Sequence, residues 1–281
     1  MADGFSLFTS LRYDVGLLQV PSKGIDYAGW NTANKSPFYM LDYHRDRMLR
    51  AAAHWSCTNA VNLLSGEEGL ETLARLAEEF IGPSQKTALR LKILVSREGV
   101  VGFEKYATAP VGIENLFPRR LPSPGSPSTP HEARKVPCWT VVLDDGQTAA
   151  SEYTHFKTTK REMYDSARER LGITPTDDRE VLLINRDDGF IMEGSLTTPY
   201  FWRDGRWVTP PVSAAFGLGA GSGGQDGTSR RWALERGLAV EQAVPADSFV
   251  DGEECWISNG VRGFIAGVVR LQEEHGSADV E

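Results

Sequence analysis

Residues 154–168 read Thr-His-Phe-Lys-Thr-Thr-Lys-Arg-Glu-Met-Tyr-Asp-Ser-Ala-Arg, and they contain the lysine on which the interpretation of the chain depends. The Thr, Tyr and Phe residues before Lys157 are typical of a strand, whereas Met163, Tyr164 and Ala167 recur at roughly helical spacing. The pattern therefore predicts that Lys157 lies at a strand-to-helix junction, where a side chain projects from the end of a sheet into a cleft.

An acid, Glu193, follows within the segment Gly189–Ser195. An amine that can form a Schiff base and an acid that can pair with a cofactor ring would together make a reactive site. Either residue alone is a weak signal, because most lysines and acids are solvated surface groups. Lys160 and Arg161, close to Lys157, are either an ordinary charged helix start or a means of lowering the pKa of the amine by like-charge repulsion.

The composition is that of an ordinary globular protein. The 281 residues are 41% apolar and 24% charged, and this length suits two domains. A net charge of −8 argues against a nucleic-acid surface, and no apolar run reaches the roughly 18 residues that span a membrane. The N-terminus lacks the pattern of a signal peptide, so we expect a cytoplasmic protein. Cys57, Cys138 and Cys255 have no metal-binding spacing, and we expect no metal site.

The pattern of periodic segments predicts an α+β protein with two domains. Residues 121–137 are rich in proline and lack periodicity, so we interpret them as a linker between an N-terminal domain, 1–120, and a C-terminal domain, 138–281. The first domain mixes strands with helices, at 5–13, 42–53, 66–81 and 89–95. The second is rich in strands, at 139–143, 181–185, 254–258 and 261–269, with hairpin turns at 187–189 and 204–205.

A glycine-rich segment, residues 217–227, opens a predicted helix whose first turn carries Thr228 and Ser229. Free backbone N–H groups and the helix dipole at such a start favour a phosphate. A flexible lid with an ordinary Ser/Thr cap is the alternative. The segment is neither a P-loop, since no lysine follows the glycines, nor a dinucleotide-binding fingerprint. The polar turn at Asn259 and Gly260 is a second anion-binding candidate.

Taken in order, these blocks resemble the class IV pyridoxal-phosphate enzymes, which include branched-chain and D-amino acid aminotransferases and aminodeoxychorismate lyase. The matching blocks are Phe8–Arg12, His44–Met48, Lys157–Arg161, Glu193–Ser195, Thr209–Pro211 and Gly227–Arg230. The resemblance implies fold type IV, with a small sandwich-like α/β N-terminal domain and a C-terminal pseudo-barrel α/β domain. It also implies a homodimer with the cofactor near the domain boundary.

The resemblance assigns roles to individual residues. Lys157 would bind pyridoxal phosphate covalently and then move protons, and Glu193 would keep the pyridine nitrogen protonated. Tyr164 is a candidate for the cofactor oxygen, although its spacing from Lys157 differs from that of the aminotransferase tyrosine. The phosphate would be held by the remaining candidates, Arg47, Thr228, Ser229, Asn259 and Gly260.

Several blocks look most like the lyase-type members of the family. The expected reaction is that of a 4-amino-4-deoxychorismate lyase, which forms 4-aminobenzoate and pyruvate on the route to folate from a small amino substrate. Because this substrate carries two carboxylates, Arg12 and Arg97 are candidate partners for them. Two alternatives stay open: a class IV aminotransferase of branched-chain or D-amino acid type that needs a keto-acid acceptor, and a catalytically silent cofactor-binding or scaffold protein.

Overall fold

The computed structural model describes residues 4–127, 138–217 and 221–271. These residues form a three-stranded antiparallel sheet and a curled eight-stranded mixed sheet, with helices packed on both. The predicted α+β class is confirmed. No helix in these ranges has the length and apolar character needed to cross a membrane.

The first half of the chain builds the small sheet and its helices. Its elements are β1 (Leu7–Tyr13), α1 (Trp30–Ala33), α2 (Leu41–His54), α3 (Thr58–Leu64), α4 (Gly66–Ile81), β2 (Leu89–Val95), β3 (Val101–Ala107) and α5 (Ile113–Leu116). In β2, Leu91 and Ile93 are fully buried against the helices, and the intervening Arg90 and Lys92 face the other way. This alternation follows from the two-residue period of a strand, and it leaves one face of the sheet with polar side chains.

The second half builds the large sheet, in the order β6-β5-β4-β11-β10-β7-β8-β9. Its elements are β4 (Trp139–Thr148), α6 (Glu152–His155), α7 (Glu162–Arg170), β5 (Arg179–Asn185), β6 (Ile191–Gly194), β7 (Thr198–Arg203), β8 (Arg206–Thr209), α8 (Thr228–Glu235), β9 (Val240–Glu241), β10 (Glu254–Asn259) and β11 (Gly263–Arg270). Both predicted hairpins are present, since β5 pairs with β6 and β7 pairs with β8 in antiparallel fashion.

Two details differ from the sequence prediction. A helical turn, α6, precedes Lys157 where a strand was expected, because Ser151 and Thr154 cap it reciprocally through side-chain and backbone hydrogen bonds. The predictions also omitted the short elements α1, α5 and β9, as well as α3 and β3. β3 has a weak pattern because it is an edge strand whose residues are all half-buried or exposed.

The two halves share a hydrophobic core. Leu17 and Leu116 from the first half are buried together with Tyr200, Trp232 and Phe264 from the second. The start of the predicted linker lies along the large sheet, where the indole N–H groups of Trp207 and Trp256 donate to the carbonyl oxygens of Leu121 and Pro122, at 3.1 and 3.3 Å. Residues 128–137 of that linker lie outside the described ranges, so the division into domains stays a prediction.

Candidate active site

A cleft of about 720 Å³ lies between the two sheets. One wall is the polar face of the small sheet, with Phe8, Ser10, Arg90 and Lys92. The opposite wall comes from the segments around β6, α8 and the turn between β10 and β11. The seven residues to which the family resemblance assigns the Schiff base, the ring nitrogen and the phosphate line this cleft: Arg47, Lys157, Glu193, Thr228, Ser229, Asn259 and Gly260. Tyr164 does not line it.

The backbone of Lys157 is held by the first strand of the chain. The N–H of Phe8 donates to the carbonyl oxygen of Lys157 at 3.1 Å, and the N–H of Thr159 donates to the carbonyl oxygen of Ser6 at 3.0 Å. These two bonds add residues 157–159 to the edge of β1 over a short distance. The Lys157 Nζ lies 5.0 Å from the centre of the Phe8 ring, so β1 positions both the backbone and the amine.

Burial lowers the pKa of the Lys157 amine well below its usual range, and the positive charges of Arg161 and Arg47 lower it further. The carboxylates of Glu193 and Glu180 act in the opposite direction. Of the two basic neighbours considered from the sequence, Arg161 therefore acts on the amine, whereas the Nζ of Lys160 lies over the ring of Tyr153. A lysine with a lowered pKa is unprotonated more often and is a better nucleophile.

Glu193 lies on β6 with its carboxylate at the base of the cleft. Its Oε1 accepts hydrogen bonds from the hydroxyl of Tyr164, at 2.5 Å, and from the backbone N–H of Gln225, at 3.2 Å. Burial raises the pKa of this carboxyl group, while the hydrogen bond from Tyr164 and the charges of Lys157 and Arg161 oppose the increase. The Tyr164 hydroxyl is thus bonded to Glu193, a contact that the sequence did not indicate, and Gln225 was not predicted as a site residue.

Arg47, on α2, has the properties of an anion-binding residue. Its Nη2 donates to the hydroxyl of Thr9, which also lies 2.6 Å from the Nδ1 of His44. Its Nε is buried without a hydrogen-bond partner among the described residues. A buried N–H group is costly to leave unpaired, so this donor is suited to an anion in the cleft.

The first turn of α8 supplies further donors. The helix begins at Thr228, and its N-cap residue is Gly227, which has no side chain. The first N–H groups of the helix are therefore not capped by the N-cap residue. The hydroxyl of Ser258 donates to that of Ser229 at 2.8 Å, which fixes the Ser229 side chain beside the turn. Such a helix start favours a phosphate through its N–H groups and its dipole.

The turn at Asn259 and Gly260 packs closely on this region. The Asn259 Oδ1 accepts from the backbone N–H groups of Val261 and Arg262, at 3.0 and 2.9 Å. A Cβ atom on Gly260 would lie only 2.5 Å from the Cε1 of His44. With the unpaired Nε of Arg47 and the uncapped start of α8, this turn makes a site that fits the phosphate of pyridoxal phosphate.

Neither Arg12 nor Arg97, the two arginines suggested for the substrate carboxylates, lines the cleft. Arg12 is fully buried and pairs with Asp14 at 2.7 Å, and the guanidinium of Arg97 lies 5.9 Å from the centre of the Phe5 ring. Of the five arginines that line the cleft, Arg168 pairs with Glu180 at 3.7 Å, and the other four, Arg47, Arg90, Arg161 and Arg262, form no ion pair with described residues. The alternating pattern of β2 could have indicated Arg90, because it places this residue opposite the core face.

Comparison with known proteins gives a consistent picture. Residues 27–268 match the family model for amino-transferase class IV, whose members depend on pyridoxal phosphate. The chain is 33% identical over 150 residues to aminodeoxychorismate lyase of Saccharomyces cerevisiae, a match that covers 48% of this chain and 38% of the relative. It is 29% identical over 141 residues to a Schizosaccharomyces pombe protein provisionally named aminodeoxychorismate lyase, covering 48% of this chain and 57% of that one.

The matched stretches thus span less than two thirds of either relative. Among solved structures, a provisionally assigned amino-acid aminotransferase from Mesorhizobium loti superposes with a TM-score of 0.63 at 19% identity, over 94% of this chain and 99% of the other. At this identity the likeness shows the fold, and it agrees with fold type IV. Because the family match covers most of the sequence, the chain belongs to the class IV aminotransferase family.

Proposed function

We propose that the protein is a pyridoxal-phosphate-dependent 4-amino-4-deoxychorismate lyase, which releases 4-aminobenzoate and pyruvate. The observation that carries this proposal is the charge of the cleft. Among the described residues that line it, seven side chains are basic and two, Asp165 and Glu193, are acidic. Such a cleft favours an anionic substrate, and the proposed substrate carries two carboxylates. The name shared by the two curated relatives supports the same reaction.

Each residue has a part in the proposed chemistry. When bound, the cofactor supplies an electron sink for charge that develops on the substrate. Arg47, the first turn of α8 and the turn at Gly260 would hold its phosphate, and Glu193 would pair with its ring nitrogen. The Lys157 amine, whose pKa is lowered by burial and by Arg161 and Arg47, would bind the cofactor and then take the proton from the amine-bearing carbon of the substrate.

Loss of the enolpyruvyl group from the adjacent carbon then gives the aromatic product. The proton that Lys157 has accepted is available to the departing enolpyruvate, which becomes pyruvate. No keto acid is consumed in this scheme. An aminotransferase would instead use the same amine to move the proton onto the cofactor. Such an enzyme would need a keto acid to regenerate the aldehyde form of the cofactor.

The test is to incubate the purified protein, loaded with pyridoxal phosphate, with aminodeoxychorismate in the absence of any keto acid. We expect 4-aminobenzoate and pyruvate in equal amounts over many turnovers, and neither product with Lys157→Ala. Accumulation of the pyridoxamine form of the cofactor, with turnover only after a keto acid is added, would identify an aminotransferase instead. The homodimer and the cytoplasmic location stay predictions, which sedimentation and cell fractionation would test.

A further inference from the structure

The two oxygens of the Glu193 carboxylate have different surroundings. Oε1 accepts both hydrogen bonds, from the Tyr164 hydroxyl and the Gln225 backbone. Oε2 has no hydrogen-bond partner within the described part of the chain, and Glu193 lines the cleft. The carboxylate is therefore anchored through one oxygen, and its other oxygen is left for a group in the cleft.

The proton of the Tyr164 hydroxyl has one favoured acceptor. The side-chain amide of Gln225 donates to the Tyr164 oxygen at 2.8 Å, so one lone pair is occupied. The hydroxyl proton then has two candidate acceptors, Glu193 Oε1 at 2.5 Å and the carbonyl oxygen of Thr154 at 3.2 Å. The nearer acceptor also carries the charge, and charge-assisted hydrogen bonds are the stronger ones.

We propose that Gln225 and Tyr164 form a hydrogen-bond relay that keeps Glu193 as a carboxylate and directs its Oε2 to the ring nitrogen of the cofactor. Tyr164 and Gln225 are positioning residues in this arrangement, because they act through Glu193. Both are buried, at 1% and 6% exposure, so water does not replace a lost bond at the same position. The inference rests on the proposed function only in that the cofactor ring occupies the cleft.

The relay opposes the effect of burial on Glu193. Burial favours the neutral carboxyl group, and the groups that favour the carboxylate are the Tyr164 hydroxyl, the Gln225 N–H and the positive charges of Lys157 and Arg161. Without the Tyr164 donor, the carboxylate becomes a stronger base and competes with the ring nitrogen for its proton. When Glu193 takes this proton, the ring nitrogen is left neutral, so a larger fraction of the ring is unprotonated at a given pH.

The direct test uses the ring nitrogen as a reporter. Protein loaded with pyridoxal phosphate labelled with ¹⁵N in the ring is titrated by NMR, because the chemical shift of this nucleus differs widely between its protonated and neutral forms. Tyr164→Phe removes the donor and keeps the ring. Gln225→Leu removes the side-chain amide and keeps the backbone N–H. Tyr153→Phe is the matched control, since its hydroxyl has no hydrogen-bond partner among the described residues and its ring contacts Phe5 and Lys160, not Glu193.

We expect the ring nitrogen of Tyr164→Phe to be neutral in a larger fraction of molecules than in the control at the same pH, because Glu193 holds the shared proton more often once it has lost a charge-assisted bond. Gln225→Leu should shift in the same direction by less, and it serves alone if Tyr164→Phe does not fold. In cofactor-free protein, carbon-13 NMR should show the Glu193 carboxyl titrating at higher pH in both variants.

Titrations of Glu193 and of the ring nitrogen that match those of Tyr153→Phe would overturn the relay. A shift at Glu193 in the cofactor-free protein without any shift at the ring nitrogen would support the relay on Glu193, and would contradict the orientation of the ring assumed in the proposed function. The two failures are therefore distinguishable.

Discussion

The guanidinium carbon of Arg262 lies 4.8 Å from the centre of the Trp139 ring, at the edge of the cleft. Stacking on an aromatic face fixes the plane of a guanidinium and leaves its N–H edges available. Burial lowers the pKa of Arg262; the carboxylates of Asp178 and Glu180 oppose this effect, and the positive charges of Arg90 and Arg168 add to it. Two arginines that repel one another in a cleft are stabilised by an anion placed between them.

Replacing Arg262 should therefore weaken substrate binding selectively. A hydrogen bond to a charged group contributes about 1.5–3 kcal/mol, so we expect Arg262→Ala to raise KM for aminodeoxychorismate by roughly 10- to 100-fold, with cofactor affinity unchanged. Arg206→Ala, at an exposed hairpin position, is the control and should match the wild type. An unchanged KM in steady-state assays of Arg262→Ala would exclude a role for this arginine in substrate binding.

Arg47 should determine cofactor affinity. In Arg47→Ala the phosphate loses a buried cationic donor, and we expect the Kd for pyridoxal phosphate, measured by reconstitution of cofactor-free protein, to rise by a factor of at least about ten. Arg47→Lys should be intermediate, because an ammonium lacks the planar fork of the guanidinium. Arg75→Ala, in an exposed pair with Glu79 on α4, is the control. Equal affinity of Arg47→Ala and this control would contradict the phosphate site.

Gly260 should not tolerate a methyl group. The added Cβ would lie 2.5 Å from His44 and 3.1 Å from the carbonyl oxygen of Ser10, so the turn or the histidine must move. Overpacking of this kind costs about 1–3 kcal/mol, and thermal unfolding of Gly260→Ala should occur several degrees lower, with weaker cofactor binding. Gly102→Ala, where the nearest atom is Leu94 Cβ at 3.9 Å, should be close to the wild type. A stable Gly260→Ala that binds the cofactor normally would show that the turn has room.

Arg161 should set the pH at which the Lys157 amine becomes reactive. Its positive charge disfavours the ammonium form and so lowers the pKa of Lys157. In Arg161→Gln that pKa rises, the unprotonated fraction near neutral pH falls, and the pH profile for the rate of cofactor association moves to higher pH. Stopped-flow absorbance measures this rate. Lys160→Gln is the neighbouring control, and identical profiles for the two variants would rule out a specific effect of Arg161.

The sequence contained enough to predict which segments meet, but not how their side chains contact one another. Helices such as α4 and hairpins such as β5–β6 follow from local periodicity and turn chemistry. The seven predicted site residues, which line one cleft, could be predicted because they match short family blocks. No spacing in the sequence required them to meet. The bond from Tyr164 to Glu193 joins residues on different elements, and no local pattern encodes such a contact. The position of Arg12 outside the cleft could not be predicted for the same reason, since its burial depends on Asp14 and on packing between the halves.

The hydrogen bonds from Phe8 to Lys157 and from Thr159 to Ser6 make the nucleophile part of the seam between the two halves of the chain. The position of the lysine therefore depends on the contact between the two halves. Any fluctuation that separates β1 from residues 157–159 also moves the amine. The amide protons of Phe8 and Thr159 should then exchange with solvent together. Conditions that speed this exchange should abolish the reactivity of the Lys157 amine before the chain as a whole unfolds, because local opening requires less free energy than global unfolding.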